Sequence, residues 1–222
     1  MDEVARSKFL NMVKAHQERG DPCGWCDQVY RDAAGDVRAV FWADLVPNPY
    51  LISWLEDHSS ASDKLRAITV GCGVGDDAEA LAAYGYEVTA FDISPAALEL
   101  CRKRYPDSRV NYVVADLLDH PQNWAHGFDL VFECNTIQVL PGEYRLRALN
   151  SIAGMVAPGG TALISCRSRD TGEKEDAFPL PLDRPEIDGF IRAGLREESF
   201  VVYDDDQDPP VQHFFARYRR LD

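Results

Sequence analysis

The sequence predicts an α/β chain: a doubly wound, mostly parallel sheet with an antiparallel hairpin at its C-terminal end. Three observations carry this. From residue 65 onward, apolar runs at 65–70, 86–91, 109–114, 128–134 and 160–166 alternate with helical patterns at 76–84, 95–104 and 142–156, and such alternation means parallel strands joined by crossover helices. The first run, Ala67-Ile68-Thr69-Val70, ends in glycines at 71, 73 and 75 and then Asp76-Asp77, a strand, a tight turn and a helix start. Finally, the strand-like runs 196–204 and 211–220 are separated only by Asp204-Asp205-Asp206-Gln207-Asp208-Pro209-Pro210, which leaves no room for a crossover and predicts an antiparallel pair at the sheet edge.

The remaining elements follow in chain order. Val4, Phe9, Leu10, Met12 and Val13 have helical spacing across 2–19, and Gly20-Asp21-Pro22 ends that helix. Residues 20–64 are aromatic and irregular, with Trp25, Tyr30, Phe41, Trp42, Tyr50 and Trp54. They read as short helices packed over one face of the main unit. The predicted organisation is therefore an N-terminal extension, 1–64, capping a single compact unit, 65–222. Ser94-Pro95 supplies a side-chain cap and a first-turn proline for the helix that follows. Ala157-Pro158-Gly159-Gly160 is a tight turn into a buried strand, and the charged, Gly- and Pro-containing segment 168–184 reads as a mobile loop.

Composition narrows the partners. With 222 residues and 45% apolar content, the chain can bury one sizeable core. Its net charge of −14 repels phosphate backbones and anionic lipid, so neither nucleic acid nor membrane is an expected partner. Arg217-Tyr218-Arg219-Arg220, the one basic cluster, alternates with apolar residues as the exposed face of a strand does. The start, Met1-Asp2-Glu3, lacks a basic and then apolar leader, which predicts a cytoplasmic protein with six free thiols. Cys23-Gly24-Trp25-Cys26 has redox or zinc spacing, yet it follows a helix instead of a strand and no second pair completes a metal site. Buried thiols and no metal are expected.

The glycine loop carries the chemistry. Alternate glycines allow unusual backbone angles and bring the chain close to a ligand. A phosphate at the following helix start would meet Asp76 and Asp77, costing on the order of a kcal/mol at an effective dielectric near 20. A nucleoside-like ligand without a pyrophosphate fits better. The second strand ends in Asp92, about twenty residues past the first glycine, where a carboxylate can accept both ribose hydroxyls; alone, Asp92 would be an ordinary helix-start acid. The third strand ends in Ala115-Asp116-Leu117. Asp116 can accept an adenine amino group, with Ile93 and Leu117 on the two ring faces, or can simply be a turn residue. Central strand ends form the ligand crevice of a parallel sheet, which makes Asn135 and Gln138, after the fourth strand, candidates for ligand contact.

The ordered series Val-Gly-Cys-Gly-Val-Gly, Thr-Ala-Phe-Asp92-Ile-Ser-Pro, Val-Val-Ala-Asp116, Phe-Asp-Leu-Val-Phe and Ala-Pro-Gly-Gly resembles the class I S-adenosylmethionine (SAM)-dependent methyltransferases over residues 65–220. The resemblance implies a Rossmann-like, seven-stranded sheet with its last strand inserted antiparallel. It implies SAM as cofactor, with Gly71, Cys72, Gly73 and Gly75 along its amino-acid portion. Asp92 would hold ribose, Ile93, Asp116 and Leu117 the adenine, and Asn135 the methionine end. Residues 22–57 resemble more loosely the thiopurine and halide/thiol branch, in which an aromatic segment with a Trp near a Pro-x-Pro turn closes the site. That would set Trp42, close to Pro47-Asn48-Pro49, against the sulfonium, a cation–π contact.

The reaction implied is in-line methyl transfer to a small-molecule acceptor, a thiol ahead of oxygen or nitrogen. Alignment and exclusion of water would do most of the work. Tyr30, Gln138 and His213 are the candidates for substrate contact or proton removal, with Arg167 beside them. Tyr30 could equally be helix packing and His213 an outward residue of an edge strand. The DNA-amino and cytosine-C5 methylase motifs of this fold are missing after the fourth strand, which reads Glu133-Cys134-Asn135-Thr136. Alternatives are a peptide or protein methyltransferase and a SAM-binding regulatory protein without catalysis. The acidic helix start and Asp116 disfavour an NAD oxidoreductase. A monomer or weak homodimer is expected.

Overall fold

Strands fed by glycine turns and backed by apolar helices give three layers. The computed structural model describes residues 3–58, 65–173 and 178–222. The N-terminal part holds α1 (Glu3–Glu18), α2 (Gly24–Asp32) and α3 (Pro49–His58). The alternating part runs β1 (Arg66–Val70), α4 (Asp76–Ala83), β2 (Glu87–Asp92), α5 (Pro95–Arg104), β3 (Asn111–Val114), β4 (Phe128–Cys134), α6 (Gly142–Met155) and β5 (Val156–Arg167). Two single-turn helices, α7 (Arg184–Ile187) and α8 (Gly189–Arg192), precede β6 (Leu195–Asp204) and β7 (Gln212–Arg220).

The sheet has seven strands in the order β3-β2-β1-β4-β5-β7-β6. Strands β1 to β5 pair in parallel, whereas β7 enters between β5 and β6, antiparallel to both. Side chains alternate along each strand, so one face receives Ile68, Val70 and Val131 and the other Ala67, Leu130 and Phe132. The first face packs on α6, α7 and α8 through Leu149, Ile152, Ile187 and Phe190. The second packs on α3, α4 and α5 through Leu51, Leu55, Leu81 and Leu98. Each such fully buried Leu, Ile or Phe contributes roughly 1.5–3 kcal/mol of transfer free energy.

Three expectations need correction. His213 lies on an interior strand and is 6% exposed, because the inserted strand is β7 and the edge belongs to β6. The flanks of the 168–184 segment are pinned: Arg169 pairs with Asp183 and Glu186 at 2.9 and 2.6 Å, its amide donates to Leu182 O, and the Leu182 amide donates to Arg167 O at the end of β5. Residues 174–177 of that segment lie outside the described residues, as do 1–2 and 59–64 of the predicted N-terminal extension. The basic cluster is not simply an exposed face, since Arg220 donates to the Ala153 and Val156 carbonyls and Arg217 pairs with Glu198 at 3.2 Å. No described helix is long and apolar enough to cross a membrane.

Candidate active site

The glycine loop closes as its sequence requires. Gly71 and Gly75 have φ of +58° and +95°, where a side chain is strained. A Cβ on Gly71 would run into the Thr136 side chain, and one on Gly75 would lie 2.7 Å from Tyr112 Oη. The Cys72 amide donates to Phe91 O, and the Cys101 thiol donates to Gly73 O at 3.2 Å. Gly71→Val therefore combines backbone strain with a collision. It is expected to destabilise the fold by about 2–5 kcal/mol, measurable by chemical denaturation; an unchanged midpoint would show that the loop tolerates a side chain.

Asp92 reaches the loop directly. Its Oδ2 accepts the Gly73 N–H at 3.0 Å and its Oδ1 accepts the Ser94 N–H at 2.9 Å. Burial pushes its carboxyl up to about 6, against the opposing pull of the Ser94 and Gly73 amides. The acidic helix start differs from the bare pair of charges the sequence suggests. Asp76 is held by Arg104 through two bonds of 2.7 and 2.8 Å. Asp77 accepts the Asn48 N–H at 2.7 Å, and burial raises it to about 6. Arg104 thus offsets the Asp76 charge from within the fold, so Asp92 points to a nucleoside ligand more directly than these two acids do.

On the side expected for adenine, Ile93 is 39% exposed, whereas Leu117 packs into the core beside Phe91 and Trp124. Asp116 is exposed and caps a single 3-10 turn by accepting the Leu118 N–H at 2.8 Å, which leaves its other oxygen without a bond from that turn. Cys23 lies near it; burial and then the Asp116 charge push that thiol up to about 12. The Cys26 thiol is raised further by burial and by Cys23. Both are free, protonated thiols. No cluster of three metal-ligating side chains occurs among the described residues.

The N-terminal part reaches the C-terminal ends of four strands. Tyr30 is buried, and its hydroxyl would sit 3.3 Å from a Cβ on Gly73. It accepts the Trp42 Nε1–H at 3.1 Å, and burial holds it protonated, its pKa raised well above the ordinary tyrosine value. Trp42 meets Tyr30, Trp25, Phe41 and Phe9 largely edge to face, and Phe178 joins Trp25 and Phe9 from beyond β5. Asp27 accepts the Ser94 hydroxyl and the Ala96 N–H, fastening α2 to the start of α5. Asn48 is the other anchor. Besides Asp77, its Nδ2 donates to Ser165 Oγ at 3.3 Å and contacts Cys134 Sγ at 3.6 Å, while its Oδ1 caps α3.

Asn135, exposed with φ of +60°, ends β4 and donates its amide to Ser165 O. Gln138 is placed otherwise than predicted. It is 5% exposed, its Oε1 accepts the Arg167 N–H at 2.6 Å and its backbone carbonyl accepts the Leu180 amide, so it splices two loops together. His213 stacks on Tyr203 at 5.3 Å, and Tyr203 Oη lies 3.3 Å from Ser165 Oγ. The His213 Nδ1 donates to Val211 O at 2.9 Å. A carbonyl can only accept, so Nε2 is the basic nitrogen of the neutral ring. Partial burial of its carboxyl, and then the charges of Asp206, Asp205 and Asp76, raise Asp44, a residue exposed overall, with His213 opposing. Asn48, Asp27, Ser165 and Tyr203 escaped the sequence reading; the proline-flanked Asn48 was the one visible signal.

Residues 67–160 match the family model of the methyltransferase domain. The ubiquinone biosynthesis O-methyltransferase of Erwinia tasmaniensis is 26% identical over 66% of this chain and 64% of its own length. The cypemycin N-terminal methyltransferase of a Streptomyces species is 29% identical over 70% of this chain and 66% of its own. The chain thus spans about two thirds of the length of these relatives. The N-methyltransferase NodS of Bradyrhizobium japonicum, solved with S-adenosylhomocysteine, superposes with a TM-score of 0.64 over 88% of this chain and all of its own, at 21% identity. The matched domain and the shared fold support a class I SAM-dependent methyltransferase. The inserted β7, the left-handed glycine loop and the carboxylate at the end of β2 are this chain's own version of that fold.

Proposed function

We propose that the protein transfers a methyl group from SAM to a small-molecule nucleophile. The observation that carries this is Asp92: a buried carboxylate at the end of β2, bonded to the glycine loop and suited to take two ribose hydroxyls. Gly71, Cys72, Gly73 and Gly75 offer a backbone cradle that a Cβ would obstruct at Gly71 and Gly75, which fits the amino-acid portion of the cofactor. Ile93, Asp116 and Leu117 take the adenine, Asn135 the methionine end, and Trp42 faces the sulfonium from the N-terminal cap. Bound SAM supplies a methyl carbon already activated on a sulfonium, which the acceptor's lone pair displaces in line.

The chain's own groups bind, align and exclude water. Tyr30 is protonated and donates rather than accepts a proton. His213, through Nε2, is the one candidate base, set among Tyr203, Asp205 and Asp44. So modest a base suits a nucleophile that ionises easily, and a thiol leads on that ground. An amine, including a peptide N-terminus, is the second reading. The carboxylates facing Asp44 suit a cationic acceptor, and one relative is an N-terminal methyltransferase. Residues 1–64 act as the cap and 65–222 as the catalytic unit.

Incubation with methyl-labelled SAM and a panel of thiols, amines, phenols and short peptides, read by mass spectrometry, tests the reaction. Label is expected on a thiol or an amine. Tight SAM binding with no transfer to any acceptor would instead support a regulatory, non-catalytic protein.

A further inference from the structure

We propose that Glu133 is a positioning residue for the cofactor's methionine end, acting through the loop that follows β4. This inference rests on the SAM reading above. Glu133 is wholly buried, in the centre of the sheet between Val70 of β1 and Ile164 of β5. A carboxyl group there carries a heavy desolvation cost, so its partners reveal what it does. Its Oε1 accepts two backbone amides, Thr136 at 2.7 Å and Ile137 at 3.0 Å. Its Oε2 has no hydrogen-bond partner.

The two amides open the turn that carries the loop back toward α6, and they sit directly after Asn135 with its left-handed backbone. Thr136 passes the constraint on. Its hydroxyl donates to Val70 O at 3.1 Å, and its side chain fills the space beside Gly71. One buried oxygen therefore fixes the Asn135 backbone and the wall of the glycine loop together. Fixing a loop before binding removes an ordering cost that the ligand would otherwise meet. The ribose and adenine contacts, at Asp92 and Asp116, lie on other strands and do not pass through Glu133.

This separation gives the test. SAM and adenosine are titrated by calorimetry into wild type, Glu133→Gln and Glu133→Met, with thermal melts as controls. Gln keeps the accepting oxygen, and Met keeps the length without it. Losing the acceptor for two amides is expected to weaken SAM about tenfold in E133M, with adenosine unchanged and E133Q restoring wild-type SAM affinity. SAM affinity unchanged in E133M, or SAM and adenosine weakened alike, overturns the positioning role. A wild type that binds adenosine but not SAM overturns the parent reading instead. Should E133M not fold, hydrogen exchange on the wild type decides: SAM, but not adenosine, slows exchange at residues 135–139, and equal slowing by both refutes the proposal.

Discussion

Replacing Asp92 with alanine is expected to lower SAM affinity about 100-fold while leaving a folded protein. The carboxylate sits at the end of β2 with one oxygen on the Gly73 amide and the other on the Ser94 amide, and each oxygen has lone-pair capacity to spare. Two hydroxyl bonds to a charged acceptor contribute roughly 1.5–3 kcal/mol each, so losing both gives 100-fold or more. Alanine also frees the Gly73 amide, which loosens the loop. Stability moves the other way, because a buried ionised group is removed. Calorimetry with SAM paired with a thermal melt separates the two effects. An unchanged dissociation constant would remove Asp92 from the ribose site.

Stability without ligand is expected to fall as pH rises from about 5 to 8. Burial raises Asp92 and Asp77 to about 6 and Glu133 to about 7, whereas in the unfolded chain these groups ionise near 4. Between those values the folded state holds protons that the unfolded state has released. Raising the pH therefore favours unfolding. The stability these protonated groups supply is complete below about pH 4 and is lost through pH 6–7, at about 3 kcal/mol for a shift of two units. SAM binding carries the opposite sign. Ribose hydroxyls favour ionised Asp92, so affinity should drop up to tenfold per unit below pH 6. Melting temperatures across pH 5–8, with and without SAM, check both. A ligand-free midpoint that is flat or rising over that range contradicts the buried-charge account.

Much of the fold could be read directly. The strand ends after residues 70, 92 and 134, the Ser94 cap and the C-terminal hairpin came from local signals that tertiary structure left intact. The residues proposed for the cofactor could be picked out for the same reason: the glycine loop, Asp92 and Asp116 each follow or end a strand. The acceptor side could not. Tyr30 and His213 could be named singly, but Asn48, Ser165 and Tyr203 come from distant segments, and no spacing rule joins an Asn between prolines to a serine 117 residues on. Gln138 has the expected place after β4, but its side-chain oxygen is taken by the Arg167 amide, a partner 29 residues on that no local signal shows. The acid pair misled in a similar way, since Arg104, 28 residues later, cannot be foreseen as the partner of Asp76.

The inserted strand has a bearing on how this chain is made. Because β7 separates β5 from β6, the central sheet cannot be completed in the order in which it leaves the ribosome. Until Gln212–Arg220 arrives, β5 presents a bare row of amides and carbonyls, and β6 has no neighbour in the sheet. Exposed strand edges of this kind are where nascent chains pair with one another. The closing contacts, such as Thr161 with Arg219, join residues far apart in the chain, a topology that slows folding. The polypeptide is therefore most open to misassembly in the interval between the emergence of β6 and that of Gln212–Arg220.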